Sequence, residues 1–195
     1  MIRRGDVDID FANRTLALSV LEHIPASIVQ NSKIEKHNTG VYFHAVPTDP
    51  VSLQSSVDYK QADEKGWFKI DILNVGVYEQ VKSEKHLLDL IDAELDWSLF
   101  ENSEFTSKLI HLGNYSDLLK QLKPKSLSDI AMVLAMIRPG KKHLIDKCKK
   151  FGFKSIEDEI WTDTNNQAYS FKKSHSFGYA LLVKVHASLI VEQST

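Results

Sequence analysis

An α+β fold, with strands first and helices later, is what this 195-residue sequence predicts. Three observations carry that expectation. Apolar and polar residues alternate through Val7, Asp8, Ile9, Asp10 and Phe11, and again from Trp67 to Leu73, which is the period of a half-buried strand. Between them, Gly40-Val41-Tyr42-Phe43-His44-Ala45-Val46 is rich in β-formers. Past about residue 77 the apolar positions recur at three- and four-residue spacing, the period of a helix.

Taken in order, residues 6–12 form the first expected strand. Asn13-Arg14-Thr15 opens a helix that runs to residue 24, with Leu16, Leu18, Val20 and Leu21 apolar, and Pro25 stops it. A short strand is expected at 27–30. The strand at 40–46 ends where Pro47 and Asp49-Pro50 interrupt it, and a further strand covers 67–73. Helices are expected at 78–95, 99–112, 115–122, 126–137, 143–151 and 174–191. In 126–137, Leu127, Ile130, Ala131, Val133, Leu134 and Ile137 have amphipathic spacing, and Arg138-Pro139-Gly140 ends the helix. The sequence thus divides into a sheet-based region, 1–77, and a helical region, 78–195. It contains no internal repeat and no low-complexity segment.

Composition sets further bounds. The chain is long enough to bury a core, and 43% hydrophobic with 26% charged residues is ordinary for a globular protein. No apolar run approaches the roughly 18 residues of a membrane span. Arg3-Arg4 precedes acidic alternation, not an apolar stretch, so no secretory leader is expected. A single cysteine, Cys148, excludes an internal disulfide and fits a reducing, cytoplasmic setting. It lies among lysines and reads as a plain helix residue. The eight histidines show no zinc-ligand spacing.

The net charge of −2 conceals a segregation. Residues 1–119 carry 19 acidic and 11 basic side chains, whereas 120–154 carry ten basic residues against Asp129 and Asp146. An acidic half beside a basic stretch is what a phosphate-handling site needs, although a charge run is also the ordinary make-up of a solvated face.

The chemistry concentrates in Asp6, Asp8 and Asp10. On a strand these alternate carboxylates share one face, where they repel and resist joint ionisation. A hard divalent cation, Mg²⁺ or Mn²⁺, relieves that repulsion. Asp71 lies on the later alternating segment, with Lys69 on its face two residues earlier. If the two strands pair, Asp71 joins Asp6 and Asp8 as a third carboxylate around two ions, the arrangement used for phosphoryl and nucleotidyl transfer. An exposed acidic strand and a surface ion pair between Lys69 and a neighbouring carboxylate are the plainer alternatives.

Several segments, in order, resemble the catalytic core of bacterial replicative C-family DNA polymerases, the DNA polymerase III alpha subunit. Asp6-Val7-Asp8-Ile9-Asp10-Phe11 is similar to the family's PDxDxDF motif, with Gly5 in place of the usual proline. His37-Asn38-Thr39-Gly40-Val41 resembles its H-A-x-G-V segment. Asp58-Tyr59-Lys60 and then Gly66-Trp67-Phe68-Lys69-Ile70-Asp71-Ile72-Leu73 resemble the stretch ending in LLKxDFLG, with Asn74 where glycine is usual. Leu122-Lys123-Pro124 and the run from Ala131 to Gly140 resemble the fingers segment ending in xRPG. Phe171-Lys172-Lys173-Ser174-His175-Ser176-Phe177-Gly178-Tyr179-Ala180 is similar to GFNKSHAxxYA. The resemblance is collinear over roughly residues 5 to 190. It implies a nucleotidyltransferase-type palm, related to that of DNA polymerase beta, over 1–77. A helical fingers region then occupies 78–195, with the last helix returning to the palm. It also implies metal-binding, catalytic roles for Asp6, Asp8 and Asp71, with Asp10 in support. Lys69, Arg138, Lys173 and His175 would contact nucleotide phosphates.

The departures bear on function. Asp6 has only five residues before it, without the family's Gly-Ser phosphate loop. The 63 positions from Asp8 to Asp71 are too few for the inserted thumb that grips primer-template DNA. The expected function is therefore a palm-and-fingers piece of a DNA-directed DNA polymerase, one part of a split enzyme. It would use two Mg²⁺ or Mn²⁺ ions, dNTPs and a primer-template, and a second polymerase chain would supply the Gly-Ser loop and the DNA grip. A compact chain of this kind suits a phage or mobile element. Two alternatives stay open: a non-catalytic remnant that binds DNA or a replication protein, and a small metal-dependent nucleotidyltransferase with a non-DNA acceptor.

Overall fold

The computed structural model describes residues 7–162 and 169–194. It is an α+β structure that divides into two compact units, Met1–Gln80 and Val81–Thr195. The sequence places its change from strands to helices near 77.

The first unit holds a four-stranded mixed sheet. Strand β1 (Val7–Phe11) is followed by helix α1 (Arg14–Val20), whose first turn is capped by Asn13 accepting from Leu16 N at 3.0 Å. Strands β2 (Ile24–Gln30) and β3 (Lys33–Tyr42) form a hairpin. Its two turn residues, Asn31 and Ser32, have φ of 50° and 62°, as a two-residue turn matching the strand twist requires. Helix α2 (Tyr59–Glu64) precedes strand β4 (Ile70–Asn74). The strand order is β1-β4-β3-β2, with β1 parallel to β4 and the other pairings antiparallel.

Three expectations are corrected here. The helix expected to reach residue 24 stops at Val20, and Pro25 lies inside β2, not after a helix. Proline is tolerated because β2 is an edge strand and its register shifts between Pro25 and Ser27. Strand β3 begins at Lys33, seven residues before the expected start, because the tight turn continues the hairpin through a polar, exposed stretch. The strand at 67–73 is shorter and later, at Ile70–Asn74.

The second unit is helical. Helices α3 (Glu84–Asp92), α4 (Ser103–Thr106), α5 (Ser116–Leu122) and α6 (Leu127–Met136) come first. Then follow α7 (Ile145–Phe151), α8 (Glu157–Trp161) and α9 (Lys173–Ser194). The helix expected at 99–112 is instead broken into a 3₁₀ turn at Trp97–Glu101, the single turn of α4 and a loop. Asn102 breaks it by capping α4, accepting from Glu104 N at 2.9 Å. The helix expected at 78–95 likewise splits at Ser83, which caps α3 by accepting from His86 N at 3.1 Å.

Helix α6 is the centre of this unit. Every residue from Ile130 to Met136 is buried, including Met132, Ala135 and Met136, so the helix is apolar all round instead of amphipathic. It packs on α9 and α8, within a core that includes Phe100, Leu112, Leu119, Ile156, Ile160 and Val183. Ser126 caps it, accepting from Asp129 N at 3.1 Å, while the Asp129 carboxylate accepts from Lys125 N at 2.8 Å. Cys148 is buried on α7 and its thiol is pushed up to about 11, mainly by burial, which suits the plain structural role read from the sequence.

No described helix is long and apolar enough to cross a membrane. Because Leu134 is wholly buried at this centre, Leu134→Ala should cost about 2–5 kcal/mol in denaturant unfolding. Ser126→Ala, which removes only a cap, should cost about 1 kcal/mol in the same measurement.

Candidate functional site

The register of β1 on β4 decides what the first unit can do. Asp8 is the direct partner of Asp71, and Val7, Ile9 and Asp10 face Ile70, Ile72 and Leu73. Partners across a parallel pair point to the same side, so the carboxylates of Asp8 and Asp71 share one face and Asp10 joins them two residues on. Ile72 on the opposite face is buried, which fixes the sidedness. Asp6 lies outside the described residues. Among the described residues, no group of three His, Cys, Asp or Glu side chains is gathered in a metal-binding cluster.

Asp71 is held from two sides. The Lys69 ammonium forms an ion pair with Oδ2, and the Thr39 hydroxyl donates to Oδ1 at 2.7 Å. Both members of the ion pair are largely covered, at 13% and 16% side-chain exposure, so this is more than a solvated surface pair. Gly40 makes the arrangement possible. It pairs with Asp71 across β3 and β4, and a Cβ there would lie 2.5 Å from Lys69 Cδ and 3.0 Å from His37 Nδ1. Only a residue without a side chain lets the lysine stem cross the strand. Tyr59 flanks the lysine, its ring centroid 5.7 Å from Nζ.

His37 lies 3.9 Å from Asp71 Oδ1 through Nδ1, but that nitrogen accepts from Gly40 N at 2.9 Å. An accepting Nδ1 leaves the imidazole neutral, so the contact is no ion pair. Its pKa is lowered accordingly, by burial first and by the Lys69 charge second, against the opposing pull of Asp71 and Asp58.

Arg14 ties the surrounding backbone together. Its Nε donates to Ile72 O at 2.8 Å and its Nη2 to Thr39 O at 3.4 Å, while its own amide donates to Asn74 Oδ1 at 2.8 Å. These bonds satisfy carbonyls beyond the last β3–β4 pair and set the segment that carries the Thr39 hydroxyl. Sequence pattern signals no site role for Arg14, Thr39 or Tyr59, although Thr39 and Tyr59 lie within segments that carry the resemblance. An arginine in the first turn of a short helix carries no such signal, and Thr39 could have been found only through its place beside Gly40.

The second unit holds the other expected residues. Arg138 follows α6, and its guanidinium carbon lies 4.0 Å from the centroid of Phe171, a cation–π contact. Its Nε is buried without a hydrogen-bond partner, and among the described residues no carboxylate pairs with it. Phe171 stacks on Tyr179 at 5.3 Å, and Tyr179 meets His111 edge to face at 4.7 Å. Lys173 and His175 occupy the first turn of α9, with Lys173 Nζ 6.0 Å from the Trp161 ring centroid. Three lysines of the basic stretch have partners within the unit. Lys123 pairs with Glu101 at 2.7 Å and Lys147 with Glu159 at 2.6 Å. Lys141 is buried and donates to the carbonyls of Glu159 and Thr162, at the C-terminal end of α8.

No protein-family model matches the chain, and no curated protein matches it either.

Asp10 reports on the acidic face. Its pKa is raised, first by the desolvation that its neighbours impose even though the side chain reaches solvent, and then by the charge of Asp8. A raised carboxyl pKa means that the folded state binds the proton more tightly, so ionising Asp10 lowers stability as pH rises through that value. Asp8→Asn should move the Asp10 pKa back toward its ordinary value, read from the carboxyl ¹³C titration by NMR. An Asp10 titration unmoved by the substitution would show that the two carboxylates do not face one another.

Proposed function

We propose that this chain is a catalytic-core piece of a DNA-directed DNA polymerase, transferring nucleotides from dNTPs to a primer 3′-hydroxyl as part of a split enzyme. The observation that carries the reading is the pairing of Asp8 with Asp71 on adjacent parallel strands, with Lys69 on the same face. In this reading the sheet is a nucleotidyltransferase-type palm and the helical unit corresponds to fingers.

The donor set fits Mg²⁺. That ion takes hard oxygen ligands, and it is commonly bound through one or two carboxylates with the remaining positions filled by water and substrate phosphate. Asp8 and Asp71 supply two such carboxylates, and Asp6 is the third by resemblance. Bound there, the ions would activate the 3′-hydroxyl and neutralise charge on the triphosphate. Lys69, already partnered with Asp71, is the lysine that meets phosphate. Arg138 offers a planar fork suited to paired bonds with phosphate oxygens, and its hold on Phe171 keeps that fork oriented without consuming its donors. Lys173 and His175, at the start of α9, are the second unit's other phosphate-binding candidates by the resemblance.

A non-catalytic remnant that binds DNA or a replication protein is the second reading. The pairing of Lys123 and Lys147 with carboxylates and the burial of Lys141 favour the protein-binding form of it, since they weaken any contact with a DNA backbone.

Primer extension with Mg²⁺ or Mn²⁺, run with the chain alone and with candidate partner chains, separates the two. Asp8→Asn and Asp71→Asn should each lower the rate by about a thousandfold or more, because each removes a metal ligand. Arg138→Ala should chiefly raise KM for dNTP. Full activity in either aspartate variant sinks the assignment, and no extension under any condition from a folded protein favours the remnant.

A further inference from the structure

The two donors on Asp71 are of unlike kind. On Oδ2 sits the Lys69 ammonium, a charge on a four-carbon stem that a phosphate can draw away. On Oδ1 sits the Thr39 hydroxyl, 2.7 Å away, which is neutral and rigidly mounted. Its side chain is β-branched and stiff at χ1. Its backbone is fixed on both sides, the amide donating to His37 Nδ1 at 3.3 Å and the carbonyl accepting from Arg14 Nη2 at 3.4 Å. The next residue, Gly40, is the register partner of Asp71. A hydroxyl has one proton to donate, and among the described residues Thr39 directs it to Asp71.

That difference matters once the site is loaded. A carboxylate turns easily about its terminal bond, so its plane is set by what binds it. A cation held by Asp8 and Asp71 repels the Lys69 ammonium, and nucleotide phosphate attracts it, so Lys69 gives up Oδ2. Thr39 carries no charge and has no reason to leave. An ionised carboxylate accepts at about four lone-pair positions, so one hydroxyl leaves room for a metal ion on the same group. Among the described residues, Thr39 is then the donor that remains to orient Asp71.

We infer that Thr39 is a positioning residue for divalent-cation binding, its hydroxyl keeping the Asp71 carboxylate oriented on the face shared with Asp8 after Lys69 has left it. This rests on the metal-binding role proposed above for Asp8 and Asp71. The polymerase motif does not supply the role, because its H-A-x-G-V segment leaves the position of Thr39 open. Hydrogen bonds that orient a metal ligand in this way govern metal affinity by about ten- to a hundredfold.

The test is Mn²⁺ binding to the full chain without nucleotide, read from the electron paramagnetic resonance of the free ion. Thr39→Val, which exchanges the hydroxyl for a methyl of similar size, should weaken binding about tenfold. Thr39→Ser, which keeps the hydroxyl, should recover most of that loss. Thermal melts establish which variants are folded, and Thr39→Ala is read if Thr39→Val is not. A second measurement needs no variant: three-bond couplings of the Thr39 side chain should report a single χ1 rotamer with Mg²⁺ saturating. Unchanged Mn²⁺ affinity in folded Thr39→Val, no recovery in Thr39→Ser, or averaging of the Thr39 rotamer in the Mg²⁺ complex overturns this inference alone. Absence of Mn²⁺ binding by the wild type, or binding that Asp8→Asn leaves unchanged, overturns both the inference and the metal site on which it rests.

Discussion

The alignment of β1 with β4 is the constraint on which the candidate chemistry depends. A shift of one residue would turn Asp8 and Asp10 to the side of Ile72 and bring Val7 and Ile9 beside Lys69 and Asp71. Burial of Ile72 opposes such a slip, and the bond from Val75 N to Phe11 O, 2.8 Å, extends the same alignment past the strand ends. Two carboxylates brought side by side this way repel. The ammonium of Lys69 and the hydroxyl of Thr39 offset part of that cost at Asp71, while the Asp10 pKa is raised by desolvation first and by the charge of Asp8 second.

Three lysines of the second unit serve a different purpose from the one their charge suggests. The run of lysines from 120 to 154 looks like a surface for a polyanion, yet Lys141 is inside the protein, closing the end of α8. Cations at helix C-termini stabilise the carbonyls left without partners. Charge counting cannot separate this use from phosphate binding, because both place a lysine near exposed oxygen atoms. Among the described residues, Arg138 differs from these lysines in that an aromatic ring, not a carboxylate or a carbonyl, holds its side chain.

The legibility of the sequence followed the range of the forces involved. Local periodicity located β1, α5, α6, α7 and α9 to within a few residues, since each is set by near neighbours along the chain. It failed at 24–39, where a two-residue turn with positive φ, not hydrophobic pattern, fixes the hairpin. It failed again at 99–112, where Asn102 interrupts a run with adequate helical spacing by capping a new turn. In the site, Asp8, Asp71 and Lys69 were legible because alternation places them on one face. Arg14 and Thr39 were not, because they act through backbone carbonyls and a hydroxyl brought together only by the fold.

The parallel pairing also has a kinetic side. Helix-to-helix neighbours such as α5 and α7 are close in sequence, whereas Asp8 must find Asp71 across the whole β2–β3 hairpin and α2. Closing a loop of that size costs chain entropy before any contact returns it, and such pairings form late. During synthesis β1 leaves the ribosome long before β4 exists, with Val7 and Ile9 unshielded. The carboxylate pair is then assembled near the end of folding of its unit, and refolding yield should be most sensitive to temperature and concentration at this edge of the sheet.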